Sequence, residues 1–152
     1  MFRTGLASTL TAGMLAASTT IVVAQQFGTA AEARAMLDRA VVEMKADEAA
    51  AVAKFNDKDN KQFHDRDLYV FCWRASDGMF TAHPNAQLAG TDMRNLKVKD
   101  DPLGKRIYDE AKEGTVTSVN YNFPKPGTTE PVPKESFVTR VGGQGCAVGY
   151  YK

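Results

Sequence analysis

Leu68-Tyr69-Val70-Phe71-Cys72-Trp73 is a run of six residues rich in aromatic and β-branched side chains, which favour the extended backbone of a strand. The next residues, 75–78 (ASDG), are typical of a turn, and residues 79–83 (MFTAH) predict the second arm of a hairpin. Pro84 cannot donate a ladder hydrogen bond, so it ends that arm. The segment therefore predicts a β-hairpin near the middle of the chain.

Two helices are predicted, one before and one after this hairpin. Thr29-Ala30-Ala31-Glu32 has the pattern of a capping box. Apolar residues then recur at three- and four-residue spacing as far as Asn56, which predicts one long N-terminal helix. Asp101-Pro102 combines a capping residue with proline at the first helical position, and Gly114 is a stop signal. The sequence therefore predicts a second helix between them.

The last third of the chain contains three further strand segments: 116–123, 135–141 and 146–151. A loop with four prolines (124–133) and a glycine-rich turn (142–145) separate these segments. The order of elements predicts an α+β domain, with a five-stranded antiparallel sheet behind the long N-terminal helix and a helical crossover. No internal repeat or long linker divides the chain, so residues 28–152 are predicted to form one domain.

The first 24 residues have a different character from the rest. Arg3 is the only charged residue before Glu32, and an apolar stretch from Leu6 ends in Val22-Val23-Ala24. A basic start, a short apolar core and small residues at its end are typical of a secretory signal peptide. A retained membrane anchor is the alternative, which the serines and threonines within the stretch disfavour. Residues 1–24 are therefore predicted to be a cleaved signal peptide, which leaves no membrane span in an exported, periplasmic chain.

The composition narrows the function further. The 152 residues include 19 Lys and Arg against 18 Asp and Glu, a net charge of +1. Such a balance lacks the basic excess that binding to nucleic acid requires. The 43% hydrophobic and 24% charged residues are close to the average of globular proteins, which disfavours long disorder and a polytopic membrane protein.

The two cysteines, Cys72 and Cys146, both lie in strand segments. An even number of cysteines in an exported protein permits one disulfide, and the oxidising compartment favours that bridge over two buried thiols. The CxxC spacing of redox and zinc sites is absent from the sequence.

No motif for catalysis, metal binding or a cofactor is present in the sequence. Asp57-Lys58-Asp59 begins like a calcium loop, but Lys61 and Gln62 stand where a ligand and a glycine are required. The charged run Asp65-Arg66-Asp67, next to His64, is either a polar site or a solvated loop, and the solvated loop is the favoured interpretation. The chain is therefore predicted not to be an enzyme.

The aromatic residues of the first strand suggest a binding site. Tyr69, Phe71 and Trp73 share one face of a strand, where they either line a pocket or form core. Three polar residues of other strand segments are candidates for the same pocket: Tyr121, Lys134 and Ser136. A binding site combines an apolar lining with a few polar groups. Lys134 is either a point charge for a carboxylate or an ordinary solvated lysine at a strand end.

An ordered set of short segments resembles the single Cache domain family, type 2. The segments are LYVF (68–71), DG (77–78), AHPN (82–85), LAGTD (88–92), YNFPKPG (121–127), PKESFV (133–138) and GYY (149–151). Together they extend over most of the chain from Thr29 onward. Phe123 and Phe137 depart from the family pattern, which frequently has Trp and Tyr at those positions.

The resemblance implies an extracytoplasmic sensor with a PAS-like sheet. In that topology the first and last strands are neighbours, which would place Cys72 beside Cys146. The resemblance also implies a pocket near the crossover and the central strands, with His83 as a polar contact. A guanidinium from Arg66 or Arg94 would bind a carboxylate in bidentate fashion.

The resemblance and the residues together predict an exported small-molecule-binding sensor domain. Its ligand is expected to be a small organic acid or a similar metabolite. The sequence up to Lys152 holds no transmitter segment, so we expect signal transduction through a separate partner such as a membrane receptor or kinase. The alternative is a structural or interaction module whose pocket is collapsed and holds no ligand. Neither the identity of the ligand nor the oligomeric state follows from the sequence.

Overall fold

The computed structural model describes residues 26–152. The predicted signal peptide, residues 1–24, lies outside this part of the chain and stays a prediction. Among the helices of residues 26–152, none is long and apolar enough to cross a membrane.

The N-terminal helical segment is two helices, α1 (Ala30–Ala46) and α2 (Glu48–Asn56). The capping box predicted before α1 is present. The prediction of one uninterrupted helix is wrong, because Asp47 has an extended backbone with φ of −160° and ψ of 106°. Its side chain accepts a hydrogen bond from the Ala50 N–H at 2.9 Å, and this cap begins α2.

Six strands form one antiparallel sheet. They are β1 (His64–Asp65), β2 (Leu68–Arg74), β3 (Phe80–Ala82), β4 (Thr117–Pro124), β5 (Pro131–Val141) and β6 (Gln144–Tyr151). The order is β1-β2-β6-β5-β4, and β3 also pairs with β2. The predicted α+β class is confirmed, and the sheet gains one strand because the two residues of β1 pair with the start of β2.

Strand β5 begins earlier than expected, since Pro131 and Pro133 belong to it. Proline is tolerated in a strand where it has a neighbour on one side only. The pairing of β5 with β6 ends at Lys134 and Tyr151, so Pro131 pairs with β4 alone. The Pro133 carbonyl accepts a hydrogen bond from the Lys152 N–H at 3.0 Å, and this bond needs no N–H from the proline.

The predicted helical crossover between β3 and β4 is present. It contains a short 3-10 helix (Met93–Asn95) and helix α3 (Leu103–Glu110). The predicted cap at Asp101 is wrong, because Pro102 occupies the N-cap position and no side chain caps the helix. The Asp101 carboxylate instead accepts a hydrogen bond from Arg106 at 2.6 Å.

The two faces of the sheet bury separate cores. Leu68, Val70 and Cys72 pack with α1 and α2, whereas Phe71 and Trp73 pack with the crossover and α3. This division follows the alternation of side chains along β2. The crossover face is therefore the one that carries the predicted aromatic stripe.

The predicted disulfide is present between Cys72 and Cys146. The two residues are directly opposite each other in the register of β2 and β6, with Cα atoms 4.1 Å apart. The bridge therefore joins two adjacent central strands of the sheet.

Candidate functional site

Two cavities share lining residues near the start of β2. A cleft of about 440 Å³ lies beside the start of β2, the loop after β3 and the end of β4. A cavity of about 20 Å³ lies between the strands and the crossover. Tyr69, His83 and Phe123 line both. The cleft has the volume of a small-molecule site, whereas the narrow cavity has room for about one water.

Four of the predicted site residues line the narrow cavity: Tyr69, Phe71, His83 and Tyr121. The rings of Tyr69 and Phe71 lie 6.1 Å apart between centroids. The structure does not bring Trp73 to either cavity, because its indole is fully buried in the core. A side chain at Gly145 on β6 would collide with that indole. Trp73 is therefore a core residue.

Lys134 is buried, with 2% of its surface exposed. Its ammonium lies 4.8 Å from the ring centroid of Tyr69, 5.5 Å from that of Phe123 and 4.5 Å from that of Tyr151. Its hydrogen bond to Tyr69 Oη is long, at 3.5 Å. The interpretation of Lys134 as a solvated lysine is wrong, and its ammonium lies within an aromatic cage.

The electrostatics of Lys134 follow from this burial. Burial lowers its pKa from 10.5 to about 8, and the nearby negative charge of Asp67 acts in the opposite direction. Within residues 26–152 no carboxylate lies within ion-pair distance of the Lys134 ammonium. A buried cation without a paired anion is costly, so an anionic ligand would stabilise its charged form.

Because Gly149 has no side chain, it leaves the space that the Lys134 side chain occupies. Gly149 lies opposite Ser136 in the pairing of β5 with β6. A Cβ at Gly149 would stand 2.7 Å from Lys134 Cε and 2.5 Å from Ser136 Oγ. Glycine is favoured at this position because any larger residue would displace the Lys134 side chain.

Two of the predicted polar residues bind each other. Tyr121 Oη and Ser136 Oγ are 2.6 Å apart, and Ser136 is fully buried. In this hydrogen bond one hydroxyl group donates and the other accepts, and the bond holds the Tyr121 ring beside the narrow cavity. Ser136 thus acts on the site through Tyr121.

His83 is a neutral hydrogen-bond donor at the junction of the two cavities. Burial and, to a smaller extent, the charge of Lys134 lower its pKa from 6.5 to about 4. Its Nδ1 accepts a hydrogen bond from the Asn85 N–H at 2.9 Å, which places the proton of the neutral ring on Nε2. The ring packs 5.6 Å from Tyr69 and 5.3 Å from Phe80.

Asp67 is a site residue that the sequence analysis missed. It is 4% exposed and lines the cleft. Its Oδ1 accepts a hydrogen bond from the Gly28 N–H at 2.5 Å. Its Oδ2 is buried and has no hydrogen-bond partner among residues 26–152. The interpretation of this charged run as a solvated loop is therefore wrong for Asp67, and the directly following buried strand was the available signal.

The two predicted arginines have other partners. Arg66 borders the cleft, but its guanidinium binds Asp65 Oδ2 at 2.7 Å, Glu32 Oε1 at 2.7 Å and the Phe27 carbonyl at 3.1 Å. Arg94 lines neither cavity, since it pairs with Asp92 at 2.6 Å. The structure thus brings one of the two guanidinium groups to the edge of the cleft and keeps the other away.

No group of three or more His, Cys, Asp or Glu side chains is placed to share a metal ion anywhere in residues 26–152.

Comparison with known proteins gives a consistent result. The family model described as "Single Cache domain 2" matches residues 16–150. A solved structure described as a periplasmic sensor domain of a chemotaxis protein is 25% identical, with a TM-score of 0.59, and the match covers 78% of this chain and 87% of that one. No curated protein sequence matches the chain.

Two further solved structures share the fold at lower identity. A methyl-accepting chemotaxis protein from Vibrio parahaemolyticus is 18% identical over 80% of this chain and 86% of that one, with a TM-score of 0.63. A Cache chemosensory domain described in terms of carboxylic acid recognition is 22% identical over 78% and 85%, with a TM-score of 0.52.

Proposed function

Because the chain belongs to the single Cache domain 2 family, we propose that it binds a small organic acid in the periplasm and passes the signal to a separate partner. The family and the chemoreceptor sensor domain at 25% identity identify a non-enzymatic, extracytoplasmic sensor module. The ligand class, the periplasmic location and the separate partner are the proposed steps beyond that identification.

The buried ammonium of Lys134 is the observation that carries the ligand class. An ammonium has three donors, and in the described chain this one has a single hydrogen bond of 3.5 Å. A small carboxylate would supply both an opposite charge and two strong acceptors. Carboxylic acid recognition by another Cache domain of this fold agrees with the proposal.

The surroundings of Lys134 suit a small and partly apolar acid. Tyr69, Phe123 and Tyr151 line the cleft and also surround the ammonium. His83 adds a neutral donor at the same place. An apolar wall with a few polar groups is the usual composition of a small-molecule site.

The test is a thermal-shift screen of short carboxylic acids, followed by calorimetric titration of the wild type and Lys134→Met. Saturable stabilisation is expected from at least one acid. Loss of a hydrogen bond to a charged group predicts about 10- to 100-fold weaker binding in the variant. Lys105→Met is the matched control, because Lys105 is an exposed lysine that pairs with Asp109 on α3. Equal affinity of the wild type and Lys134→Met would contradict the proposal.

One observation favours the alternative of a module without a ligand. The cavity at the centre of the aromatic stripe measures only about 20 Å³, so that part of the site is closed in this conformation. If no carboxylate in the screen stabilises the wild type, the interaction module becomes the better description.

A further inference from the structure

Asp67 has one carboxylate oxygen that accepts no hydrogen bond within the described chain. The side chain is 4% exposed, and its Oδ1 is occupied by the Gly28 N–H. Its Oδ2 is buried without a hydrogen-bond partner among residues 26–152. Buried polar atoms in folded proteins nearly always have a partner, so an orphan acceptor beside a cleft points to a ligand that brings a donor.

Asp67 lies within electrostatic range of the lysine cage. Its charge opposes the effect of burial on the pKa of Lys134. Burial raises the pKa of Tyr69 and of Tyr151, and the charge of Asp67 raises both further. Nevertheless Asp67 and Lys134 form no ion pair within 4 Å. Asp67 lines the cleft, whereas Lys134 does not line it and lies against three rings that do, those of Tyr69, Phe123 and Tyr151. The two buried, opposite charges therefore lie on either side of these rings without neutralising each other by contact.

We infer that the site selects a small carboxylic acid that also carries a hydroxyl or an amino group. The ligand carboxylate binds Lys134, and the hydroxyl or amino group donates a hydrogen bond to Asp67 Oδ2. This inference rests on the proposed function, since it presupposes a carboxylate at Lys134, and it specifies which carboxylates bind well.

The Asp67 charge also disfavours other acids. A plain carboxylic acid would leave Oδ2 without a donor, as it is in the free protein, so this acid lacks the hydrogen bond that a donor-bearing acid gains. A dicarboxylic acid would place a second negative charge near Asp67, and like charges in a buried site repel strongly. Discrimination against plain and dicarboxylic acids would therefore come from Asp67, the same residue that accepts the hydrogen bond of the preferred acid.

A structural role alone does not account for Asp67. The hydrogen bond from the Gly28 N–H needs one acceptor oxygen, and an asparagine at this position would supply it. Asp67→Asn therefore keeps that bond and the shape of the side chain, while it replaces the free acceptor by an amide donor. This substitution separates the structural role from the binding role.

The experiment compares four acids of three carbons by calorimetric titration: propionate, lactate, alanine and 3-hydroxypropionate. In the wild type at least one of the three donor-bearing acids is expected to bind about 10- to 100-fold more tightly than propionate, the range for a hydrogen bond to a charged group. A preference for alanine indicates a cationic donor, whereas a preference for lactate or 3-hydroxypropionate indicates a hydroxyl.

In Asp67→Asn the preference is expected to fall to within about threefold, with propionate binding unchanged or tighter, because the negative charge is lost. Asp65→Asn is the control, because it removes the same charge at a different place. Asp65 pairs with Arg66 at the surface and does not line the cleft. This control variant is expected to keep the preference. Thermal melting of both variants checks that they fold.

The outcomes distinguish this inference from the proposed function. If the acids bind and depend on Lys134, but propionate matches the donor-bearing acids in the wild type, the inference is overturned and the proposed function stands. If Asp67→Asn folds and keeps the full preference, the inference is likewise overturned. If no acid of the thermal-shift screen binds, these four included, or if Lys134→Met binds the acids as the wild type does, the proposed function itself fails.

Discussion

At the scale of single residues, the site depends on two charged side chains in places where charge is costly. Lys134 and Asp67 are both almost fully buried. Within residues 26–152 neither has an oppositely charged side chain at ion-pair distance, which buried charges usually have. A sensor that binds its ligand through such groups changes its own electrostatics on binding, which makes binding depend on pH.

The pKa of Lys134 fixes the direction of that dependence. Burial lowers it to about 8 in the free protein, and a bound carboxylate would raise it because it favours the charged form. We expect affinity for the acid to be constant below pH 8 and to fall about tenfold for each pH unit above it. Titrations between pH 6.5 and 9.5 measure this.

Calorimetric titration in buffers of different ionisation enthalpy measures the number of protons that are taken up when the acid binds. Near pH 8 the protein should take up protons as the acid binds, since part of the Lys134 population is neutral beforehand. Lys134→Met should lose both the pH dependence and the proton uptake. An affinity that stays constant up to pH 9.5 in the wild type would mean that Lys134 does not bind the carboxylate.

Gly149 provides a second prediction at this scale. Gly149→Ala places a methyl group 2.7 Å from Lys134 Cε and 2.5 Å from Ser136 Oγ. Overpacking of this kind costs about 1–3 kcal/mol of the free energy of unfolding, and the displaced lysine should bind the acid at least about tenfold more weakly. Urea unfolding and titration measure the two effects.

Gly143→Ala is the comparison for Gly149→Ala. A Cβ at Gly143 would meet the end of the Glu48 side chain at 3.3 Å, and a flexible carboxylate can move away. This variant should bind like the wild type. If Gly149→Ala also binds the acid and unfolds like the wild type, then the position of the Lys134 side chain does not depend on the glycine.

At the scale of elements, alternation along the strands made most of the fold predictable. Tyr69, Phe71 and Trp73 were assigned to one face, and the structure places them there. The cap at Asp47 was not recognised, because an aspartate on the polar face of a helical pattern looks like an ordinary surface residue. Its extended backbone and its side-chain hydrogen bond with the Ala50 N–H show that it ends one helix and begins the next.

The candidate site was less predictable than the fold. Lysine is almost never fully buried, so neither the burial of Lys134 nor its aromatic neighbours can be read from its own segment. Its cage joins Tyr69 of β2, Phe123 of β4 and Tyr151 of β6, and these strands are distant in sequence. Arg94 shows the converse error, since a free guanidinium was expected where the neighbouring Asp92 carboxylate already binds it.

The disulfide between β2 and β6 is the strongest covalent constraint on these elements. It joins residues 74 positions apart, for which the chain-entropy model gives about 4 kcal/mol as an upper figure. Replacement of Cys72 and Cys146 together by alanine should lower the free energy of unfolding by up to that amount. Urea unfolding of both proteins measures the difference.

The sheet around the bridge does not depend on the disulfide alone, because β5 and β6 pair continuously from Lys134 and Tyr151 to Val141 and Gln144. The variant should therefore fold and keep its circular dichroism. A difference below about 1 kcal/mol would show that the denatured chain gains little freedom from loss of the bridge. Intact-mass analysis after alkylation of the exported wild type should find no free thiol.

At the scale of the whole molecule, the first described residues are held beside the cleft. The Phe27 carbonyl accepts a hydrogen bond from Arg66 at 3.1 Å, and the Lys125 ammonium lies 4.1 Å from the Phe27 ring centroid. Gly28 donates to Asp67. The chain therefore enters the domain through contacts with a residue that we assign to ligand binding.

This arrangement bears on where the mature chain should begin. The sequence predicts cleavage after Ala24, because Val22-Val23-Ala24 ends the apolar stretch with short side chains. Cleavage there leaves Phe27 and Gly28 in the mature protein, so the hydrogen bond to Asp67 and the aromatic contact with Lys125 are retained. N-terminal sequencing of the exported protein should therefore read from Gln25. A protein that begins at Met1 would instead keep its apolar segment, and a cleavage site beyond Gly28 would remove the contacts that hold Asp67.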